Sequence, residues 1–367
     1  MFFKIAIDPG YGFLKGISQN GDMIRIPSLV GNAHDRSLSN LLGAFEQDEM
    51  QQLHVKYEDD SISEEFFIGE LAKESKNATY NFDQNKVNHL STKVLIATAT
   101  AILAPQMDQK IWIGVGLPLE FFHSQKEELK RMLQNFSAKI TLVHQQREKK
   151  IRFDRVSVYA QGATAIYDGL LYPNGKPKYP EMMKRGSMIA SVNWGTRTVD
   201  VVVFEVGERF KIKPELSFTI DDAGAMEIRR QIQKAFNQKT GSTISLVEAE
   251  RIIENGGSIY YNRAEHDFVE HIVNAKRAVV RLVTDSLVSR WGNQAGFIRA
   301  IFLSGGTVLD VKDTLDLSKL PALAILCEDP QFSDARGMFH LMRGEEIAEK
   351  RETQNTYAMN HQSGIKM

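Results

Sequence analysis

Apolar residues along this chain fall into short runs that stop, again and again, at glycine. Phe2 to Ile7 is such a run; it breaks at Asp8-Pro9-Gly10-Tyr11-Gly12 and resumes as Phe13-Leu14-Lys15-Gly16-Ile17. Two strand-like runs around a glycine-rich break predict a hairpin. From about Pro27 to Asn88 the pattern is polar and irregular, with EDDSISEEFFIGE as its most strand-like piece, which suggests a small inserted subdomain. Leu90 to Leu103 carries apolar side chains at helical spacing and ends before Pro105. Ile111–Gly116 is a buried-strand signal closed by Leu117-Pro118, and Ser124–Asn135 reads as an amphipathic helix. Lys139–His144 and Ile151–Val158 flank the basic QREKK segment and are expected to pair as strands, followed by a small-residue helix over Ala160–Gly169.

After a proline-rich loop from Pro173 to Pro180 the opening design returns. Ser187–Val192 leads into Asn193-Trp194-Gly195-Thr196-Arg197-Thr198 and then Val199–Val206. A third β run, Ala300–Leu303, ends at Ser304-Gly305-Gly306-Thr307. Between them Glu265–Arg290 predicts a long helix, with Phe268, Ile272, Ala275, Val279 and Leu282 as its packed stripe. Beyond about Glu345 the sequence is polar and a frayed tail is expected. Each half thus opens with strand, glycine turn and strand, and this internal echo predicts two related α/β lobes facing one another.

Composition narrows the class. The 367 residues suit two lobes with substantial cores, and 43% hydrophobic with 25% charged content is ordinary for a globular chain. Lys and Arg number 45 against 46 Asp and Glu, a formal net charge of -1, which argues against a surface built as a whole to grip nucleic acid or an anionic membrane. One cysteine, Cys327, supports neither a disulfide framework nor a cysteine-rich zinc site. No apolar run reaches the ~18 residues of a membrane span, and MFFKIAIDPG lacks the pattern of a signal peptide, so a cytoplasmic location is expected.

The glycine turns carry the candidate chemistry. A bound phosphate chain needs inward-pointing backbone N–H groups with no side chains in the way, together with cationic or hydroxyl donors. Asp8, Gly10, Gly12 and Lys15 supply these types in the first turn, and Gly195, Thr196, Thr198 and Asp200 do so in the second. Either turn alone is equally a plain hairpin. Two of them heading two halves of one chain could clamp a nucleotide between lobes, and the Ser304-Gly305-Gly306 strand end lies where α/β ligands bind.

The order of a D-x-G-x-G-x-x-K turn, a small-residue helix, a G-T-x-T-x-D turn and an F-L-S-G-G-T strand end resembles the actin, Hsp70 and sugar-kinase ATPase superfamily. Within it, Asp329-Pro330-Gln331-Phe332-Ser333-Asp334-Ala335-Arg336-Gly337-Met338-Phe339 resembles the P-Q-F…G-M segment of ParM-type plasmid-segregation actins. Val115-Gly116-Leu117-Pro118 is similar to a strand end of the same bacterial and archaeal group. The resemblance spans about residues 2–345. It implies an actin-like α/β fold of two related ribonuclease-H-like lobes around an interlobe nucleotide cleft. The first actin-like domain would cover 1–172 with an insertion at about 27–88, and a segment at about 331–345 would return to it. The second would cover 186–330 with an insertion at about 221–290, leaving a polar tail at 346–367.

The resemblance also implies roles, residue by residue. Asp8 would hold Mg²⁺ through water, while Gly10, Tyr11, Gly12 and Lys15 would bind the β-phosphate end of ATP or GTP. Gln161 matches the position that orients the attacking water; as a neutral amide it can orient water but is a poor proton acceptor. Gly195, Thr196, Arg197 and Thr198 would contact the β- and γ-phosphates, Gly224 would approach the phosphates, and Gly305, Gly306 and Thr307 would lie along the nucleoside. Glu248 and Arg251 fall where an E-x-x-K/R pair flanks the nucleoside, although an i, i+3 pair on a solvated helix face explains them equally well. Asn193 departs from the family, much of which has Asp there, and Asp200 matches the second acidic position. The expected function is a nucleotide-dependent, filament-forming NTPase that segregates plasmid DNA. It would reach a centromere-like DNA site through a ParR-like adaptor, without touching nucleic acid or membrane itself. A sugar- or acetate-type kinase and a chromosomal cytoskeletal actin homologue are the alternatives.

Other features weigh less. His266 and His271 do not share a helix face and make a poor metal pair. Arg147, Lys149, Lys150 and Arg152 read as a solvated hairpin edge more readily than as a DNA contact. Met182-Met183 reads as loop packing and Cys327 as a small buried hydrophobe.

Overall fold

The computed structural model describes residues 2–33, 50, 53–75, 79–80, 87, 89–105, 109–208 and 210–363. The chain opens with three antiparallel strands, β1 (Phe3–Pro9), β2 (Phe13–Ser18) and β3 (Met23–Pro27). Then β4 (Leu29–Asn32), β5 (Leu53–Glu58), β6 (Ser63–Ile68) and β7 (Thr79–Tyr80) leave this sheet for a second one. Helix α1 (Leu90–Leu103) follows, apolar on nearly every side, and it is buried in the core that joins both sheets. β8 (Ile111–Leu117) returns to the first sheet, parallel to β1, and leads to α2 (Phe122–Gln134).

The pairing of the next strands differs from the expectation. β9 (Ser137–Leu142) pairs with β10 (Arg147–Arg152), so the basic segment is itself a strand at the edge of the second sheet. Its alternation explains why: Ile151 turns into the core, and Lys149 Nζ donates to the carbonyls of Ala104 and Pro105 at 2.6 and 2.5 Å, capping the end of α1. Burial and Arg147 lower that lysine's pKa to about 8. β11 (Arg155–Ala160) is a separate strand, parallel to β8, and it delivers the chain to α3 (Ala165–Leu170). The first sheet therefore runs β11-β8-β1-β2-β3 and the second β10-β9-β5-β6-β4-β7.

The second lobe repeats the first sheet's plan. β12 (Met188–Trp194), β13 (Val199–Val206) and β14 (Phe210–Ile212) form an antiparallel meander, and β15 (Phe218–Ile220) also pairs with β13. After α4 (Ala225–Thr240) and α5 (Leu246–Glu254), a hairpin of β16 (Ser258–Tyr261) and β17 (Ala264–Asp267) precedes α6 (Val269–Trp291). The helix expected from Glu265 thus begins four residues later, because Asn262 and Arg263 adopt left-handed conformations that close this hairpin. The stripe on α6 also drifts: Ile272, Ala275, Val279, Val283, Leu287 and Trp291 are buried while Leu282 is exposed. β18 (Ile298–Ser304) lies parallel to β12, α7 (Thr307–Val311) follows, and β19 (Leu323–Leu326) lies parallel to β18. The order β14-β13-β12-β18-β19 mirrors that of the first sheet.

The last helix, α8 (Ser333–Ser363), crosses back onto the first sheet. Phe332, Ala335, Met338 and Met342 recur at spacings of three and four, and they pack on Ala6 and Trp112. The frayed tail expected beyond Glu345 is instead a continuation of α8. Its carboxylates explain this. Glu345 accepts from Tyr159 Oη at 2.8 Å, Glu346 meets Lys4 at 3.0 Å, and Glu349 meets Arg155 at 2.6 Å.

Candidate functional site

The two glycine hairpins face each other across a cleft of about 300 Å³ between the lobes. In the first, the β1–β2 register sets Asp8 opposite Lys15, and the ammonium meets Asp8 Oδ2 at 3.0 Å with both side chains largely buried. Gln161 Nε2 donates to the other oxygen, Asp8 Oδ1. A Cβ on Gly10 would come within 2.7 Å of Phe13 O and 2.9 Å of Lys15 Nζ, so this position leaves no room for a side chain.

In the second hairpin the β12–β13 register sets Asn193 opposite Asp200. Asp200 is buried and accepts from Thr219 Oγ1 at 2.7 Å. Burial raises its pKa to about 6 against the pull of that hydrogen bond, and the negative fields of Glu120 and Asp221 add to the rise. Thr307 Oγ1 donates to Gly195 O at 2.8 Å, which ties the head of α7 to this turn. Gly305, with φ +90°, lies directly under Trp194 O and Asn193 Oδ1, where a side chain would collide with backbone. Arg197 lies 5.6 Å from the Tyr11 ring centroid, joining the two turns across the cleft.

Most residues singled out in the sequence line this cleft. Asp8, Gly10, Tyr11, Lys15 and Gln161 come from the first lobe. Asn193, the run Gly195 to Thr198, Asp200 and the run Gly305 to Thr307 come from the second. Gly12 and Gly224 do not line it; they let neighbours close in. A Cβ on Gly12 would strike Thr196 Oγ1, and one on Gly224 would strike Thr196 O. Glu248 and Arg251 are not brought to the cleft. Glu248 forms a capping box at the start of α5, accepting from Ser245 N at 2.7 Å while its own N–H donates to Ser245 Oγ at 3.1 Å. The opposite face of α5 supplies Glu250, Ile253 and Glu254 to the cavity.

Several cleft groups were not found by reading the sequence. Glu250 makes a buried ion pair with Arg229 of α4 at 2.6 Å, and Lys276 of α6 lines the same end. Asp334 at the head of α8 lines the cleft that Asp8 also lines, and its only sequence signal was its place in the Pro330 to Gly337 segment. Nearby, Arg336 pairs with Asp168 through two bonds of 2.7 and 2.9 Å and donates to the Asp329 carbonyl at 2.9 Å. Among the described residues no group of three or more His, Cys, Asp or Glu side chains could hold a metal ion directly, and no helix is long and apolar enough to cross a membrane.

Comparison with known proteins agrees with this architecture. Residues 6–163 match the model for the actin-like proteins N-terminal domain, and residues 191–317 match the archaeal actin homologue MreB-like C-terminal domain. Among solved structures, a pCBH ParM non-polymerisable quadruple mutant is 28% identical, with a TM-score of 0.82 over 94% of this chain and 100% of that one. A 15-stranded ParM filament from Clostridium botulinum gives 29% identity and a TM-score of 0.82 over 93% and 99%. An archaeal actin homologue in complex with ADP shares the fold at 18% identity, with a TM-score of 0.71 over 92% and 98%. A search of curated protein sequences matched none of them. The resemblance to ParM-type actin-like proteins holds, and the fold is the two-lobed actin-like α/β fold.

Proposed function

We propose that this chain is a nucleotide-dependent, filament-forming NTPase that segregates plasmid DNA in the cytoplasm through an adaptor protein. The observation that carries the reading is the pairing of two glycine-containing turns, Asp8 to Lys15 and Gly195 to Thr198, across one cleft. The donor set fits a magnesium-bound nucleoside phosphate, ATP or GTP. Gly10 and Gly195 leave backbone open at the turns, Lys15 and Arg197 supply positive charge, and the carboxylate of Asp8 can receive a hydrated cation. Lys15, Gly10 and the run from Gly195 to Thr198 would hold the phosphates, and the glycines at 305 and 306 would lie under the nucleoside.

When bound, the nucleotide and its magnesium supply the phosphoryl group and the charge that polarises it. The chain's own part is positional. Gln161 is fixed by its hydrogen bond to Asp8, which leaves its amide oxygen to accept from a water. A neutral amide takes up no proton, so Gln161 orients the water rather than deprotonating it. Tyr11 and Arg197, in contact across the cleft, couple the two lobes when it closes.

Self-assembly needs only one pair of complementary surfaces related by a non-closing operation. The likeness to a ParM filament structure supports that mode here. A net charge of -1 supports delegating DNA contact to a basic ParR-like adaptor on a centromere-like site. The test is light scattering at 90° with negative-stain imaging of pure protein in Mg-ATP and Mg-GTP. Nucleotide-dependent filaments are expected. A chain that stays monomeric and phosphorylates a sugar or acetate would sink the proposal.

A further inference from the structure

We infer that Asp334 supplies the negative charge that position 193 lacks, and that Asn193 is an amide because it must donate to Asp334. The inference rests on the nucleotide reading above and deepens it, since it assigns a positioning residue to the phosphate and cation side of that cleft.

The repeat makes the problem visible. Asp8 stands opposite Lys15 in the first hairpin, and Asn193 stands opposite Asp200 at the matching place in the second. An acid at the first place therefore has an amide as its counterpart. The Asn193 amide is not idle: its Nδ2 donates to Asp334 Oδ2. Asp334 is 5% exposed. Its Oδ1 accepts from Gly162 N at 2.9 Å, from Ala165 N at 3.2 Å and from Thr164 Oγ1, and its Oδ2 also lies 3.2 Å from Gly162 N.

Every one of these partners is a donor, which is the environment of an ionised carboxylate. Burial and the nearby charge of Asp8 push the pKa of Asp334 up to about 7, and the hydrogen bonds from Thr164 and Gly162 with the field of Lys15 pull against that rise. One side chain thereby fastens three elements: the turn after β11 in the first lobe, the end of β12 in the second, and the head of α8. It also faces the cleft.

Charge and amide are here exchangeable by geometry. An aspartate at 193 beside Asp334 would set two carboxylates against each other in a buried site, a repulsive arrangement. Exchanging the two residues removes the clash. An asparagine at 334 keeps its Oδ1 for Gly162, Thr164 and Ala165 and turns Nδ2 toward 193, where a carboxylate would accept it. The bond is retained with its direction reversed.

The test uses the full chain in four forms: wild type, Asn193→Asp, Asp334→Asn and the double exchange. Two readouts are taken, the thermal midpoint without nucleotide and Mg²⁺-dependent binding of a fluorescent mant-ADP probe. Each single variant is expected to bind mant-ADP about tenfold more weakly, the scale of one charge-assisted hydrogen bond. Asn193→Asp should also melt earlier. The exchange should restore both readouts, with affinity within about threefold of wild type. Additive losses in the exchange, or wild-type binding by Asp334→Asn, would overturn the inference. A wild-type chain that binds no mant-ADP fails the functional reading instead. Recovery of the melting midpoint by the exchange would then still uphold the acid–amide pair, and additive losses there would overturn it.

Discussion

Across β1 and β2 Asp8 meets Lys15, whereas across β12 and β13 Asn193 meets Asp200. The first hairpin balances its acid locally, with an ion pair of 3.0 Å contained in one turn. The second does not. Asp200 has a hydroxyl for a partner, and Asn193 reaches to α8, 141 residues further along the chain. Two lobes with the same strand order thus divide the work. One turn is complete by itself, and the other is completed only when the C-terminal helix returns to the first sheet.

Substituting glycines at matching strand ends tests this difference most severely. Gly305 closes β18 with φ +90° and lies against the Trp194 carbonyl, so Gly305→Ala should cost at least about 2 kcal/mol of stability. Gly116 lies near the end of β8, the matching strand of the first sheet. There a Cβ would press on the Gln161 side chain, at 2.9 Å from Cγ, with Asp8 Oδ1 at an ordinary contact distance of 3.4 Å. Gly116→Ala should melt within about 1 kcal/mol of wild type while slowing phosphate release, because it displaces Gln161 rather than backbone. Thermal melts and turnover of both variants decide the matter, and equal destabilisation would remove the asymmetry.

A gentler cut removes the Gln161 amide and leaves Asp8 and Lys15 in place. Gln161→Ala should slow hydrolysis about tenfold to a hundredfold with nucleotide affinity nearly unchanged, and filaments should outlast those of wild type. Phosphate release at the wild-type rate would show that Gln161 orients no water.

What the residues disclosed in advance follows the same division. Asp8 and Lys15 lie on one hairpin, and their types and spacing were enough to bring them forward. The strand–turn–strand echo likewise disclosed both sheets' leading hairpins. Asp334 and Arg229 could not be found so, because their partners lie far off in sequence: Asn193 for the one, Glu250 on a neighbouring helix for the other. The continuation of α8 was hidden because a polar sequence reads as a tail until Lys4, Tyr159 and Arg155 are seen beneath it.

Asp200 offers a measurement of the second turn's imbalance. Its folded pKa, raised to about 6 by burial, lies above the ordinary carboxylate value, so between about pH 4 and pH 6 the native state holds a proton the unfolded chain has released. The contribution to stability is present in full below that window and is lost as pH rises through it. Asp200→Asn keeps an acceptor for Thr219 and removes the titration. It should therefore flatten the slope between pH 4 and pH 7 and be more stable than wild type at neutral pH, by on the order of 1–2 kcal/mol. Parallel melting curves against pH for the two proteins would contradict this.

The smallest effect concerns which face of α5 belongs to the cleft. Glu248 and Arg251 are three residues apart and do share a face, but a helix turns about 100° per residue, so Glu250 two positions on looks elsewhere. Glu250 takes the cleft side with Arg229, and Glu248 spends its carboxylate on the Ser245 amide. Glu248→Ala should therefore lose about 1 kcal/mol of stability as a broken cap and leave nucleotide affinity alone. Arg229→Ala, which removes the ion pair to Glu250 at the cavity wall, should weaken nucleotide binding. A loss of affinity in Glu248→Ala as large as that in Arg229→Ala would mean that the whole helix end, not one face of it, reads the nucleotide.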